Sequence, residues 1–117
     1  MSYVDGFIVP VPRDKLDAYK ALAAKAGALW KEHGALAFVE CVGDDVPYGK
    51  RTSFPRAVEA GEDEVVVFSW IVYASREDRD AVNARVMADP RLETDPARMP
   101  FDGKRMIFGG FRAFLEL

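Results

Sequence analysis

The sequence predicts an α+β fold in the ferredoxin-like β-α-β-β-α-β order, spanning residues 1–117 as one domain. Three observations carry that expectation. Four segments are rich in β-branched and aromatic residues, two segments between them repeat apolar residues every three or four positions, and no repeat, low-complexity tract or linker divides the chain. A chain of 117 residues is long enough to bury a substantial core.

Strand one is expected at "YVDGFIVPV", Tyr3 to Val11, with Pro10 and Pro12 closing it. From Arg13 to His33 the residues Leu16, Tyr19, Ala23, Ala26, Trp30 and His33 mark one helical face, and Gly34 suits the position just past the helix end. "ALAFVECV", Ala35 to Val42, reads as strand two. The 21 residues from Gly43 to Asp63 exceed an ordinary loop, and "SFPRAVEAG" within them suggests a short helix capped by Ser53 with Pro55 in its first turn. "EVVVFSWIVY", Glu64 to Tyr73, is the clearest strand. Ser75 and Asp78 in "SRED" then open a second long helix, which Pro90 ends. The stretch from Asp89 to Gly103 carries Pro90, Pro96 and Pro100 and should be irregular, with a turn at Asp102–Gly103. Lys104 to Leu117 supplies the last strand.

Strands three and four are apolar on both alternating rows. Val65, Val67, Ile71 and Tyr73 oppose Val66, Phe68, Trp70 and Val72, and the last strand sets Ile107, Phe111, Ala113 and Leu115 against Met106, Phe108 and Phe114. Two helices cover one face of a sheet, so an apolar second face needs another cover. A homodimer with its sheets packed face to face is the expectation.

The totals exclude several classes of function. Lys and Arg number 16 against 19 Asp and Glu, a net charge of -3, which argues against nucleic acid as a partner. One cysteine cannot form an internal disulfide. No secretory leader pattern and no apolar run of about 20 residues is visible, so a soluble cytoplasmic protein without a membrane partner is expected. No phosphate-binding loop, dinucleotide glycine pattern or serine nucleophile elbow is present, and no cofactor is expected.

The only histidine and the only cysteine, His33 and Cys41, tempt one to pair them. Strand two separates them by roughly 23 Å at about 3.3 Å per residue, so a thiol–imidazole couple within one chain is not expected. His33 reads as a structural or capping residue, Cys41 as a small core residue. No metal site is expected, since "GDD" at Asp44 and Asp45 reads as a solvated turn. Charges inside strands are more informative, because a charge on an apolar row is costly unless it is paired or faces a polar cavity. Asp5, Glu40 and Arg112 are such charges; they either line a ligand cleft walled by Trp70 or form ion pairs at strand ends. Lys104 and Arg105 beside the Asp102–Gly103 turn, together with Lys50, Arg51 and Arg56 in the long loop, suggest an anion site or simply a charged turn. Gly109 and Gly110 suggest a bulge or a close backbone approach.

The motifs "YVDGF", "GAL", "ECVGDDVPYGK", "VVFSWI", "DPR" and "MPFDGKRMIFGGF" resemble the YbaA-like family of bacterial proteins of unknown function, from Tyr3 to about Phe114. The resemblance implies a dimeric α/β-barrel in which two ferredoxin-like sheets form a shared barrel. It implies no reaction and no catalytic residues. Three readings of function stay open: binding of a small molecule, an anion among the candidates, through Asp5, Glu40, Trp70, Lys104, Arg105 and Arg112; a cofactor-free oxygenase or isomerase using Glu40 or Asp5 as general base; or a structural, partner-binding role for the Gly43–Asp63 loop.

Overall fold

The computed structural model describes residues 1–117, ordered as β1 (Tyr3–Pro12), α1 (Leu16–Glu32), β2 (Ala37–Val42), α2 (Phe54–Ala57), β3 (Glu64–Tyr73), α3 (Arg76–Met87) and β4 (Ile107–Arg112). The fold is mixed α+β. Its four strands form one antiparallel sheet in the order β2-β3-β1-β4, and no helix is long and apolar enough to cross a membrane.

Local chemistry sets most boundaries. Gly34 adopts φ +120, a left-handed conformation that ends α1. Ser75 accepts the Asp78 amide at 3.0 Å to cap α3, and Ser53 accepts the Arg56 amide at 3.1 Å to cap α2, with Pro55 in its first turn. Asp102 caps a single 3-10 turn, Gly103–Arg105, by accepting the Lys104 amide.

Four strand ends, on three strands, differ from the sequence expectation. β1 runs through both prolines instead of stopping at them. β4 pairs with β1 only as far as Ile8, so beyond it one edge of β1 is open, and a proline there costs no ladder hydrogen bond. β2 starts at Ala37, because the Ala35 amide still bonds the Trp30 carbonyl at 2.9 Å in the turn leaving α1. β4 is six residues long rather than fourteen, since Lys104 and Arg105 are taken up by the turn before it. At its other end Arg112 pairs with Tyr3, the first residue of β1, so residues past Ala113 have no strand beside them.

The pairing register assigns every strand residue to a face. Phe38 and Glu40 of β2, Ser69 and Ile71 of β3, Asp5 and Phe7 of β1, and Phe108 and Gly110 of β4 share the face that α1 and α3 cover. Two buried clusters sit on this face. One packs Tyr3, Ile71 and Tyr73 under Val82 and Val86 of α3; the other packs Val9, Val11, Val65 and Val67 under Tyr19 of α1. Burying such side chains stabilises by about 1.5–3 kcal/mol each. The opposite face carries Val4, Ile8, Phe68, Trp70, Ile107 and Phe111, and its one charged strand residue is Glu64 at the row's end, opposite Pro12 and paired with Arg105. Phe54 of α2 stands edge-on against Phe68 at 5.7 Å, so the long loop folds toward one border of that face.

Candidate functional site

Between the two clusters the helices and the sheet do not close. They leave a cavity of about 470 Å³, mostly apolar, floored by Ser69, Ile71, Asp5 and Phe7 and walled by α1 and α3. Phe108 and Met87, 75% and 60% exposed, stand at its open side.

The polar groups facing it come in pairs. Asp5, only 6% exposed, accepts a 2.6 Å ion pair from Arg79 Nη1. The Arg79 Nε donates to Asp80 at 2.7 Å, and its guanidinium lies 4.9 Å from the centre of the Tyr3 ring. This arrangement depends on Gly110. A Cβ on Gly110 would come within 2.8 Å of Arg79 Nη1 and would also collide with Tyr3, so the close approach at Gly110, which the sequence suggests for a ligand or a partner, is made by two side chains of the chain itself. The register through Gly109 and Gly110 is continuous, without a bulge.

Across the floor, Glu40 accepts a short hydrogen bond from the Tyr19 hydroxyl. Burial, reinforced by that bond and by the Glu40 charge, pushes the Tyr19 phenol well above its ordinary range, so Tyr19 stays a neutral donor. Asn83 Oδ1 accepts from Trp30 Nε1 at 3.0 Å and from the Tyr73 hydroxyl at 3.3 Å. Tyr73 is likewise raised, first by burial and then by the charge of Asp5. With its oxygen engaged twice, Asn83 has its amide NH₂ left to donate. Ser69 pairs with Glu40 in the β2–β3 register, is 5% exposed, and its hydroxyl bonds no other group of the chain. The cavity thus offers apolar and aromatic walls, two carboxylates, a hydroxyl and an amide.

Asp5 and Glu40 are the two sequence candidates that meet in this cavity. Trp70 lies on the opposite face of the sheet, opposite Gly6 and Val39. Arg112 follows the helix-side row, but at the exposed end of β4 and outside the cavity. Arg105 is held in a bidentate pair with Glu64 at 2.7 and 2.8 Å, with further bonds to Asp102 and the Glu59 carbonyl; Lys104 is exposed beside it. In the long loop Arg56 stacks 3.9 Å over the Tyr48 ring and donates to the Tyr48 and Gly49 carbonyls. His33 caps the end of α1, and its Nε2 lies 2.9 Å from Asp89 Oδ2, whereas Cys41 sits on the outer row opposite Phe68. Glu32, His33 and Asp89 bring potential metal ligands within 4.8 Å, but the Arg91 guanidinium bonds both carboxylates.

Tyr19, Arg79 and Asn83 complete the polar set, and none stands out in the sequence. Arg79, Val82, Asn83 and Val86 follow a 0, 3, 4, 7 spacing, so reading polar residues on the apolar stripe of α3 would have flagged two of them. A second hollow of about 540 Å³ indents the outer face where Gly6 pairs with Gly109 between Trp70 and Phe111, and its lining is almost wholly apolar.

Comparison with known proteins agrees with this architecture without assigning a reaction. The family described as "Protein of unknown function (DUF1428)" matches residues 2–103. The chain is 59% identical over 116 residues to the uncharacterized protein YbaA of Escherichia coli (strain K12), with 99% of each chain covered, and equally to YbaA of Shigella flexneri. A crystal structure of a nipsnap family protein with unknown function from Agrobacterium tumefaciens shares the fold at a TM-score of 0.50 and 14% identity, covering 94% of this chain and 84% of that one.

Proposed function

Because the chain belongs to the DUF1428 family, whose function is not established, we propose from the geometry of the site that it binds a small molecule in the cavity between its sheet and helices α1 and α3. One observation carries the reading: Asp5 and Ser69, both more than nine-tenths buried, face an apolar cavity rather than close-packed neighbours. Unfilled space beside these groups forgoes packing contacts that a ligand would supply, and a volume of about 470 Å³ lies in the range of ligand pockets. Ser69→Met tests this directly. The longer side chain fills the floor, so thermal stability should rise by about 1 kcal/mol while binding of small aromatic fragments, followed by amide shifts around Ile71, should vanish. Fragments that bind the variant as well as the wild type would remove the cavity as the site.

We read the order β2-β3-β1-β4 as a ferredoxin-like sheet and the outer face as the seat of a second copy, sheet against sheet. Support comes from the apolar centre of the outer rows, from Phe68 and Phe111 at their surface, and from the notch at Gly6 and Gly109, which offers a pocket to a partner side chain. Native mass spectrometry should give twice the chain mass for the wild type and a monomer for Trp70→Glu; a wild-type monomer at micromolar concentration would exclude this packing.

A further inference from the structure

We infer that the cavity selects an organic cation, an ammonium group on an apolar or aromatic body, over an anion of the same shape; this rests on the cavity reading above and specifies its ligand. A charge census of the walls points that way. Arg79 is the only cation among the lining residues, and its guanidinium is engaged by Asp5 and Asp80. Lys104, Arg105 and Arg112 lie outside the cavity. Against one committed cation stand two carboxylates. Asp5 is neutralised by Arg79, but Glu40 has only the neutral Tyr19 hydroxyl on one oxygen and no cation at all. Glu40 is half-buried on the cavity wall, and its second oxygen remains a charged acceptor, so a ligand anion meets like charge there and a cation gains a charge-assisted hydrogen bond.

The surroundings of Glu40 suit a cation in a second respect. Trp30 and Phe38 pack with ring centroids 5.9 Å apart beside it, and the Tyr19 ring forms the wall above. Aromatic faces attract ammonium groups, more so when desolvated. Ser69, cross-strand neighbour of Glu40, is 5% exposed as a residue and lines the same space, where its hydroxyl is free to accept from a ligand. An ammonium donates to carboxylate and hydroxyl together, and its apolar body fills the floor over Ile71. Tyr19 acts as a positioning residue, fixing the carboxylate without neutralising it.

The test uses three probes of one body and different heads: 2-phenylethylamine, 2-phenylethanol and 3-phenylpropionate, titrated into the full chain near neutral pH and followed by amide shifts. The amine should bind at least about tenfold tighter than the carboxylate, with the alcohol between them. Glu40→Gln, nearly isosteric and able to keep the Tyr19 bond, should cost the amine about tenfold or more and leave the alcohol unchanged. Tyr19→Phe, which keeps the charge but frees it, should weaken the amine only a few-fold. Lys104→Ala and Arg112→Ala should change nothing. Equal or tighter binding of the carboxylate, or an amine affinity indifferent to Glu40→Gln, would overturn the cation preference while leaving the cavity intact as a site. Failure of all three probes to shift cavity resonances would instead remove the site itself, and this inference with it.

Discussion

Gly110 shows how much can rest on a missing side chain. The Tyr3 ring is fixed in a buried cluster and cannot step aside for a new Cβ, and the Arg79 guanidinium is held by Asp5. Gly110→Ala is therefore expected to destabilise the chain by about 1–3 kcal/mol in urea denaturation, the ordinary range for overpacking. Arg79→Leu should cost about 3 kcal/mol by leaving the Asp5 carboxylate buried and alone. Adding Asp5→Leu should recover most of that loss; a double variant no better than the single one would mean that Arg79 stabilises through packing rather than charge. Asp5 and Glu40 were legible because each interrupts an apolar row, which only a partner or a cavity tolerates. Their partners were not, because Tyr19 passes for a packing residue and Arg79 and Asn83 lie in the polar-looking "REDRDAVN". Trp70 could not be assigned to a face at all, since a shift of one residue in strand register reverses the sides.

At the scale of elements, the stretch between α3 and β4 has little regular structure and is held at both ends by charge. Near its start Asp89 accepts from Arg91 and lies against His33 at the end of α1; near its finish Arg105 grips Glu64 at the start of β3. Arg91 first, then His33, holds the Asp89 carboxyl well below the ordinary carboxylate range. An aspartate in the unfolded chain takes up its proton near pH 3.9, so on acidification the unfolded state binds that proton first. The stability that Asp89 contributes is full above about pH 5 and is lost as pH falls below about 4 toward the folded value. The gap in urea midpoint between the wild type and Asp89→Asn should shrink over that window; a gap unchanged down to pH 3 would contradict the assignment. Arg105→Ala, which breaks a bidentate charged pair, should cost about 2 kcal/mol. Helices and their caps were readable because a serine, a proline or a glycine acts within one turn of itself. The true ends of β1 and β4 were not, because pairing with a distant strand decides them: Tyr3 stops β4, and the reach of β4 decides where β1 tolerates proline.

Over the whole molecule the two faces of the sheet have separate tasks, one holding the cavity and the other presenting an apolar surface. Trp70→Glu should therefore abolish self-association and leave fragment binding in the cavity within about twofold of wild type, whereas Glu40→Gln should weaken the amine probe about tenfold and leave self-association unchanged; sedimentation together with the probe titration separates the two. The doubly apolar rows of β3 signalled a second apolar face in the sequence, but the cavity did not announce itself, because empty volume arises from how far two helices stand off a sheet and no single residue encodes that. The place of β1 between β3 and β4 has a further consequence for how the chain is made. β1 precedes the other three strands in the chain, yet its two hydrogen-bonding neighbours begin at residues 64 and 107. Closing such long loops comes before any reward, which places folding toward the slow end for a chain of this size. During synthesis the centre of the sheet must wait, unpaired on one side, until the last of its four strands has left the exit tunnel.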